Sequence, residues 1–182
     1  MYKRGFKAWA EKTALNIRKR QGHQAYSPLD MWVLAELHGI RIWLPEDING
    51  VSKECCKTLT EDDPDSWSAM TIRSNDLAVI VLNPTHSKAR QASNLAHELS
   101  HLILGHEGGK NYVIDGLLYA SYNQDEEDEA GWLSGCLLLP REACIYIKKQ
   151  KLTDVQATRK YGISKEMLNY RMNVTGVAKD FQ

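Results

Sequence analysis

Net charge is absent from this chain: 23 Lys and Arg offset 23 Asp and Glu among 182 residues. No global field therefore directs it toward nucleic acid or an anionic membrane. It also lacks any run near the roughly eighteen apolar residues that a membrane-spanning helix requires. The opening stretch MYKRGFKAWAEKTALNIRKR is basic but carries no continuous apolar segment of the secretory-signal kind, which predicts a cytoplasmic protein. Cysteine is sparse. Cys55, Cys56, Cys136 and Cys144 form no C-x-x-C pair, and the adjacent two suit neither a zinc knuckle nor a disulfide framework, so reduced thiols are expected. No internal repeat or low-complexity linker divides the sequence. With 43% hydrophobic and 25% charged residues, it reads as a folded globular chain, one domain over residues 1–182.

Charge is unevenly placed all the same. Seven basic residues face one acidic residue from Met1 to Arg20, and seven face two from Lys148 to Arg171. Both runs are expected to be solvated helix faces. Residues 3–21 have the spacing of a basic amphipathic helix. In SPLDMWVLAELHGI, Ser27 is placed as a cap and Pro28 in the first turn, with Gly39 ending the helix. A strand follows over 40–44, then a polar loop over 45–66 holding a short helix. SWSAMTIR and LAVIVLN flank Ser74-Asn75-Asp76 and predict a β-hairpin. A long helix is expected from Ser87 to Leu104, broken by Gly105, Gly108 and Gly109. An aromatic connection over 110–124, helices near 125–140 and 141–150, and two short helices joined at residues 162–164 complete an α+β chain.

The chemistry concentrates in NLAHELSHLILGH, residues 94–106. Positions four apart on a helix differ by about 40°, so His97 and His101 project side by side and can occupy two corners of a zinc tetrahedron. Glu98 is turned about 100° from His97, beside a metal but off its ligand axis, where a carboxylate can take a proton from bound water. H-E-x-x-H also arises by chance, and helical histidines are often ordinary surface or core residues. Here Ala92, Leu95, Ala96, Leu99, Leu102 and Ile103 predict a buried helix, in which a Glu between two His needs a partner.

Catalytic zinc takes three protein ligands and keeps one open position. His106 and Glu107 do not match the H-E-x-x-H-x-x-G-x-x-H pattern, whose Gly and third His positions hold Leu104 and Glu107. On a continuing helix His106 would sit about 140° from His101 and point away. In QDEEDEAGWLSGCLLLP, Glu129 heads the stripe Leu133, Cys136, Leu137 and Pro140, and is the expected third ligand with Glu126 in reserve. Glu127 and Asp128 are expected to turn outward, as acidic first-turn residues favoured by the helix dipole. Tyr112, Tyr119, Tyr122 and His106 are candidates for stabilising an oxyanion.

These segments together resemble the ImmA/IrrE family of zinc-dependent metallopeptidases. SPLDMWVLAELHGIRIWL is similar to its N-terminal helix and strand, and VLNPTHSKARQASNLAHELSHLILGH to its strand and H-E-x-x-H helix. EAGWLSGCLLLP resembles E-A-N-x-F-A-x-x-L-L-M-P, with Gly131, Leu133, Ser134 and Gly135 where the family prefers Asn, Phe, Ala and Ala. KYGISKEMLNYRM resembles its closing element. The resemblance implies a zincin-like fold of gluzincin type, with a small mostly antiparallel sheet packed on the motif helix and helical N- and C-terminal parts. The element at about 153–175 would belong to the same body. It implies one zinc per chain on His97, His101 and Glu129, with Glu98 as general base. It further implies an endopeptidase that cleaves a separate helix-turn-helix repressor, relieving repression in a stress response or in a prophage or other mobile element. An extended peptide would lie against an edge strand, for which 67–73 is the candidate.

A competing possibility comes from DVQATRKYGISKEMLNYRM, which has a helix–Gly–helix outline and local basic charge. The chain would then be a DNA-binding regulator, or a non-catalytic repressor-binding protein keeping a structural zinc. Apolar Met167, Leu168 and Met172 in the second helix weigh against a DNA-reading surface.

Overall fold

Ser87 starts the helix that carries the motif: its hydroxyl accepts from Arg90 N at 3.3 Å, and Gly105 ends the helix in the left-handed region at φ 70°. The computed structural model describes residues 2–74, 77–106, 111–114, 117–120 and 123–180. The helices are α1 (Phe6–Arg20), α2 (Met31–Leu37), α3 (Lys53–Lys57), α4 (Lys88–Leu104), α5 (Gln124–Leu138), α6 (Arg141–Lys149), α7 (Asp154–Tyr161), α8 (Lys165–Val174) and α9 (Val177–Asp180). The strands are β1 (Arg41–Trp43), β2 (Ala69–Ser74), β3 (Leu77–Leu82), β4 (Asn111–Ile114) and β5 (Leu117–Ala120).

The mixed α and β composition agrees with the sequence. One sheet has the order β1-β3-β2. Strand β1 runs parallel to β3, with Arg41 opposite Val79, and β2 runs antiparallel to it, with Ala69 opposite Leu82. Strand β2 is therefore an edge. Helix α4 packs against β2 and β3 on one side and against α5 on the other, and α5 in turn packs on α1 and α8. The core is built from Ile80 and Leu82 of β3, Leu95, Ala96 and Leu99 of α4, and Leu133, Cys136 and Leu137 of α5.

Three local expectations need correction. The cap of α2 is Asp30, not Ser27: its carboxylate accepts from Trp32 N and Val33 N at 2.8 and 3.3 Å. The presumed connection at 110–124 contains the antiparallel pair β4–β5, with Asn111 opposite Ala120. Asp115-Gly116 between two apolar runs is the turn signal that marks it in the sequence. The basic runs are not wholly solvated either, since Arg18 and Arg171 are fully buried.

Those two arginines hold the end of α5. Arg18 donates from Nη2 to Leu137 O at 2.7 Å and from Nε to Ser27 O at 2.8 Å. Arg171 donates from Nε to Leu139 O at 2.7 Å and pairs with Glu11. The last carbonyls of a helix have no partner within it, and here buried cations supply one. Burial lowers the pKa of Arg18 to about 10, still protonated at neutral pH. Among the described residues, no helix is long and apolar enough to cross a membrane.

Candidate metal centre and active site

Helical spacing brings His97 and His101 together as expected. Their Nε2 atoms lie 3.1 Å apart. The carboxylate that joins them is Glu127, which the sequence had turned outward: Oε2 is 3.1 Å from His97 Nε2, and Oε1 is 3.4 Å from His101 Nε2. Among the described residues this trio is the cluster whose donor atoms could hold a metal ion. The donors suit that role in number, type and spacing. With metal–ligand bonds near 2.0–2.1 Å, the corners of a zinc tetrahedron are separated by about 3.3 Å, close to all three distances. The His97 and Glu127 side chains are each 33% exposed and His101 15%, so the centre is reachable from solvent. Burial, then the adjacent His97, lower the pKa of His101 against the opposing pull of Glu127. The ring is accordingly neutral at pH 7, the form that binds a cation.

Glu129 lies elsewhere. It is buried, and its Oε2 is 3.5 Å from His106 Nε2. Helix α5 is buried around nearly its whole circumference beyond Glu129, so its apolar stripe does not single out the side facing α4. Cys136, on that stripe, instead meets Glu11 and Arg171. Ala130, Gly131 and Ser134 stand three, four and seven places after Glu127, on the same face of the helix as that residue. Glu126 has its backbone N–H at 3.5 Å from the Asn123 cap.

Nor does His106 point away. Gly105 ends the helical path, and the chain folds back so that His106 N donates to His101 O at 3.0 Å. The His106 and His101 Nδ1 atoms then lie 2.9 Å apart. The guanidinium of Arg73 holds His106 O at 2.6 Å. Glu98, next in sequence to His97, accepts a hydrogen bond from Thr71 Oγ1 of edge strand β2 at 2.5 Å. That partner is set by sheet packing and has no signal in the sequence. The Tyr112 and Tyr119 side chains, together with Tyr122 and Glu107, lie outside the described residues. A cleft of about 880 Å³ opens beside the first turns of α4, lined by Leu29, Trp32, Ala92 and Ile163 among others, but it does not include the histidine pair.

The mixed α and β fold thus brings together two imidazoles and a carboxylate, donors that could hold a metal ion. Residues 58–173 match the family of the IrrE N-terminal-like domain, a peptidase family. The chain belongs to that family, as the ImmA/IrrE resemblance implied. No curated protein matches it. Among solved structures it is similar to a Mycobacterium tuberculosis transcriptional regulator, at 14% identity and a TM-score of 0.50. The match covers 94% of this chain and 47% of that one, so the chain spans about half the length of that protein. At this identity the likeness concerns the fold alone.

Proposed function

We propose that the chain is a zincin-like metalloendopeptidase that holds one zinc on His97, His101 and Glu127 and cleaves a helix-turn-helix transcriptional repressor. The observation that carries this is the His97–His101–Glu127 cluster, with donor separations of 3.1, 3.4 and 3.1 Å, in a member of a peptidase family. When bound, zinc supplies Lewis acidity and lowers the pKa of its water to about 7. Glu98 is the base: it takes the proton of the attacking water and passes it to the leaving amine as the peptide C–N bond breaks. Thr71 holds one carboxylate oxygen and so limits the rotation of Glu98. Strand β2 is the edge on which an extended substrate would pair through its main chain. Because Thr71 belongs to that strand, a peptide added there would pass close to Glu98. The repressor as substrate rests on the family resemblance.

DNA binding by α7 and α8 has less support. Arg171, one of the basic residues that suggested it, is fully buried, and α8 packs on α5 and α6.

The test combines metal analysis with a proteolysis assay. The purified chain should carry about one zinc, and co-expression with a helix-turn-helix repressor as substrate should yield discrete fragments by mass spectrometry. Glu98→Gln should retain zinc and reduce cleavage by about 10²–10⁴-fold, the range of a lost general base. Absence of zinc in the wild type, or full cleavage by Glu98→Gln, would overturn the proposal.

A further inference from the structure

Two buried side chains lie beside the candidate metal cluster, outside its trio of donors. Glu129 and His106 are each 7% exposed. With His101 they form a line: Glu129 Oε2 to His106 Nε2 at 3.5 Å, His106 Nδ1 to His101 Nδ1 at 2.9 Å, and His101 Nε2 facing His97 and Glu127. Hydrogen-bond chemistry constrains where the protons lie. A carboxylate oxygen accepts, so the arrangement in which Glu129 faces an N–H puts the His106 ring hydrogen on Nε2. With a single ring hydrogen placed there, His106 Nδ1 is bare and accepts from His101 Nδ1. Two bare nitrogens at 2.9 Å would instead repel. In that arrangement His101 carries its hydrogen on Nδ1 and keeps a lone pair on Nε2, the atom that faces the cluster. The opposite polarity would put a hydrogen on His101 Nε2 and block it as a ligand.

We infer that Glu129 and His106 are positioning residues that fix His101 in its Nδ1–H tautomer and so aim its Nε2 lone pair at the metal site. The inference rests on the metal-peptidase proposal above. It gives Glu129 a role other than ligand, and it explains why a buried glutamate stands two residues after Glu127. The arrangement lengthens by one imidazole the usual carboxylate–histidine–metal device, in which an outer partner sets ring orientation and ligand basicity. Gly105 and the Arg73 bond to His106 O bring the relay ring into line.

Two measurements test this. In the zinc-free chain, two-bond ¹H–¹⁵N spectra of the His101 ring should show the Nδ1–H tautomer; an Nε2–H tautomer would overturn the relay. Zinc affinity by chelator competition should fall about 10–100-fold in His106→Leu. His106→Asn, whose Oδ1 can accept near the place of Nδ1, should recover most of that loss, and Glu129→Leu should weaken zinc binding in the same direction. A role in packing alone would lower the melting temperature and leave the His101 tautomer and zinc affinity unchanged, which would sink the inference. Should His106→Leu fail to fold, His106→Asn and the wild-type tautomer still decide. If the wild type binds no zinc, the functional proposal fails, while the tautomer measurement continues to judge the relay.

Discussion

Glu127 and Glu129 are two places apart and so about 200° apart around α5, yet both reach the histidines, one directly and the other through His106. At residue scale the division of labour follows exposure: Glu127 is one-third open to solvent, whereas Glu129 is buried against a ring that can donate to it. A different buried histidine makes a pH prediction independent of the metal. His86 lies among Asn83, Asn94, Arg90 and Asp65. Burial first, then the Arg90 charge, lower its pKa against the weaker opposing pull of Asp65. The unfolded chain, with an ordinary His value near 6.5, therefore binds the proton more readily than the folded one. The contribution of His86 to stability is present above about pH 6.5 and declines as pH falls through the folded pKa below it. Urea titrations at pH 7.5 and pH 5.5 should show a smaller pH-dependent loss in His86→Gln than in wild type; an identical loss would remove His86 as a contributor.

The element that organises the site is α5, which presents Glu127 and Glu129 at its start and is held at its end by Arg18 and Arg171. Its two glycines differ in what they leave room for. A Cβ at Gly131 would have no neighbour within 4 Å, while one at Gly135 would meet Arg171 Cδ at 3.0 Å. Alanine is favoured over glycine inside a helix by about 1 kcal/mol. Gly131→Ala should accordingly raise the melting temperature by about 2–4 °C. Gly135→Ala should show no such gain, because Arg171 is tied to Leu139 O and Glu11 and has little freedom to withdraw. Calorimetry on the two variants checks the contrast. Most of the helices here are legible from period and caps, and Ser87 and Gly105 bracket α4 as the sequence suggests. The rotation of α5 is not legible, since a helix buried on nearly all sides offers no solvated face to orient it.

Across the whole molecule, the proposed ligands come from α4 and from α5, separated in sequence by residues 105–123. A cation bound by both helices favours the folded chain alone, because the unfolded chain does not hold the three donors together. Zinc at one hundred times its dissociation constant should therefore stabilise the wild type by about 2.7 kcal/mol. Thermal melts with and without zinc should show this shift, and Glu127→Ala should lose most of it at the same zinc concentration. A shift kept in Glu127→Ala would return the third-ligand assignment to Glu129 or Glu126. The thiols give a second check on the packing. Cys55 is exposed, whereas Cys136 and Cys144 are buried, and burial raises their pKa values to about 12 and 11. Native-state alkylation should modify Cys55 and spare Cys136 and Cys144 until the chain is unfolded.

What the sequence determined by itself is local and periodic. The spacing of His97 and His101 sets their common face wherever the helix lies, and the motif segments in order point to the peptidase family. Tertiary structure alone decided that Glu127 meets that face, that Thr71 holds Glu98, that His106 turns back onto His101, and that Arg18 and Arg171 leave solvent to hold the end of α5. Each of these depends on how one element is rotated or ended against another. That is fixed by the packing of small and large side chains across the chain, and a one-dimensional pattern does not contain it.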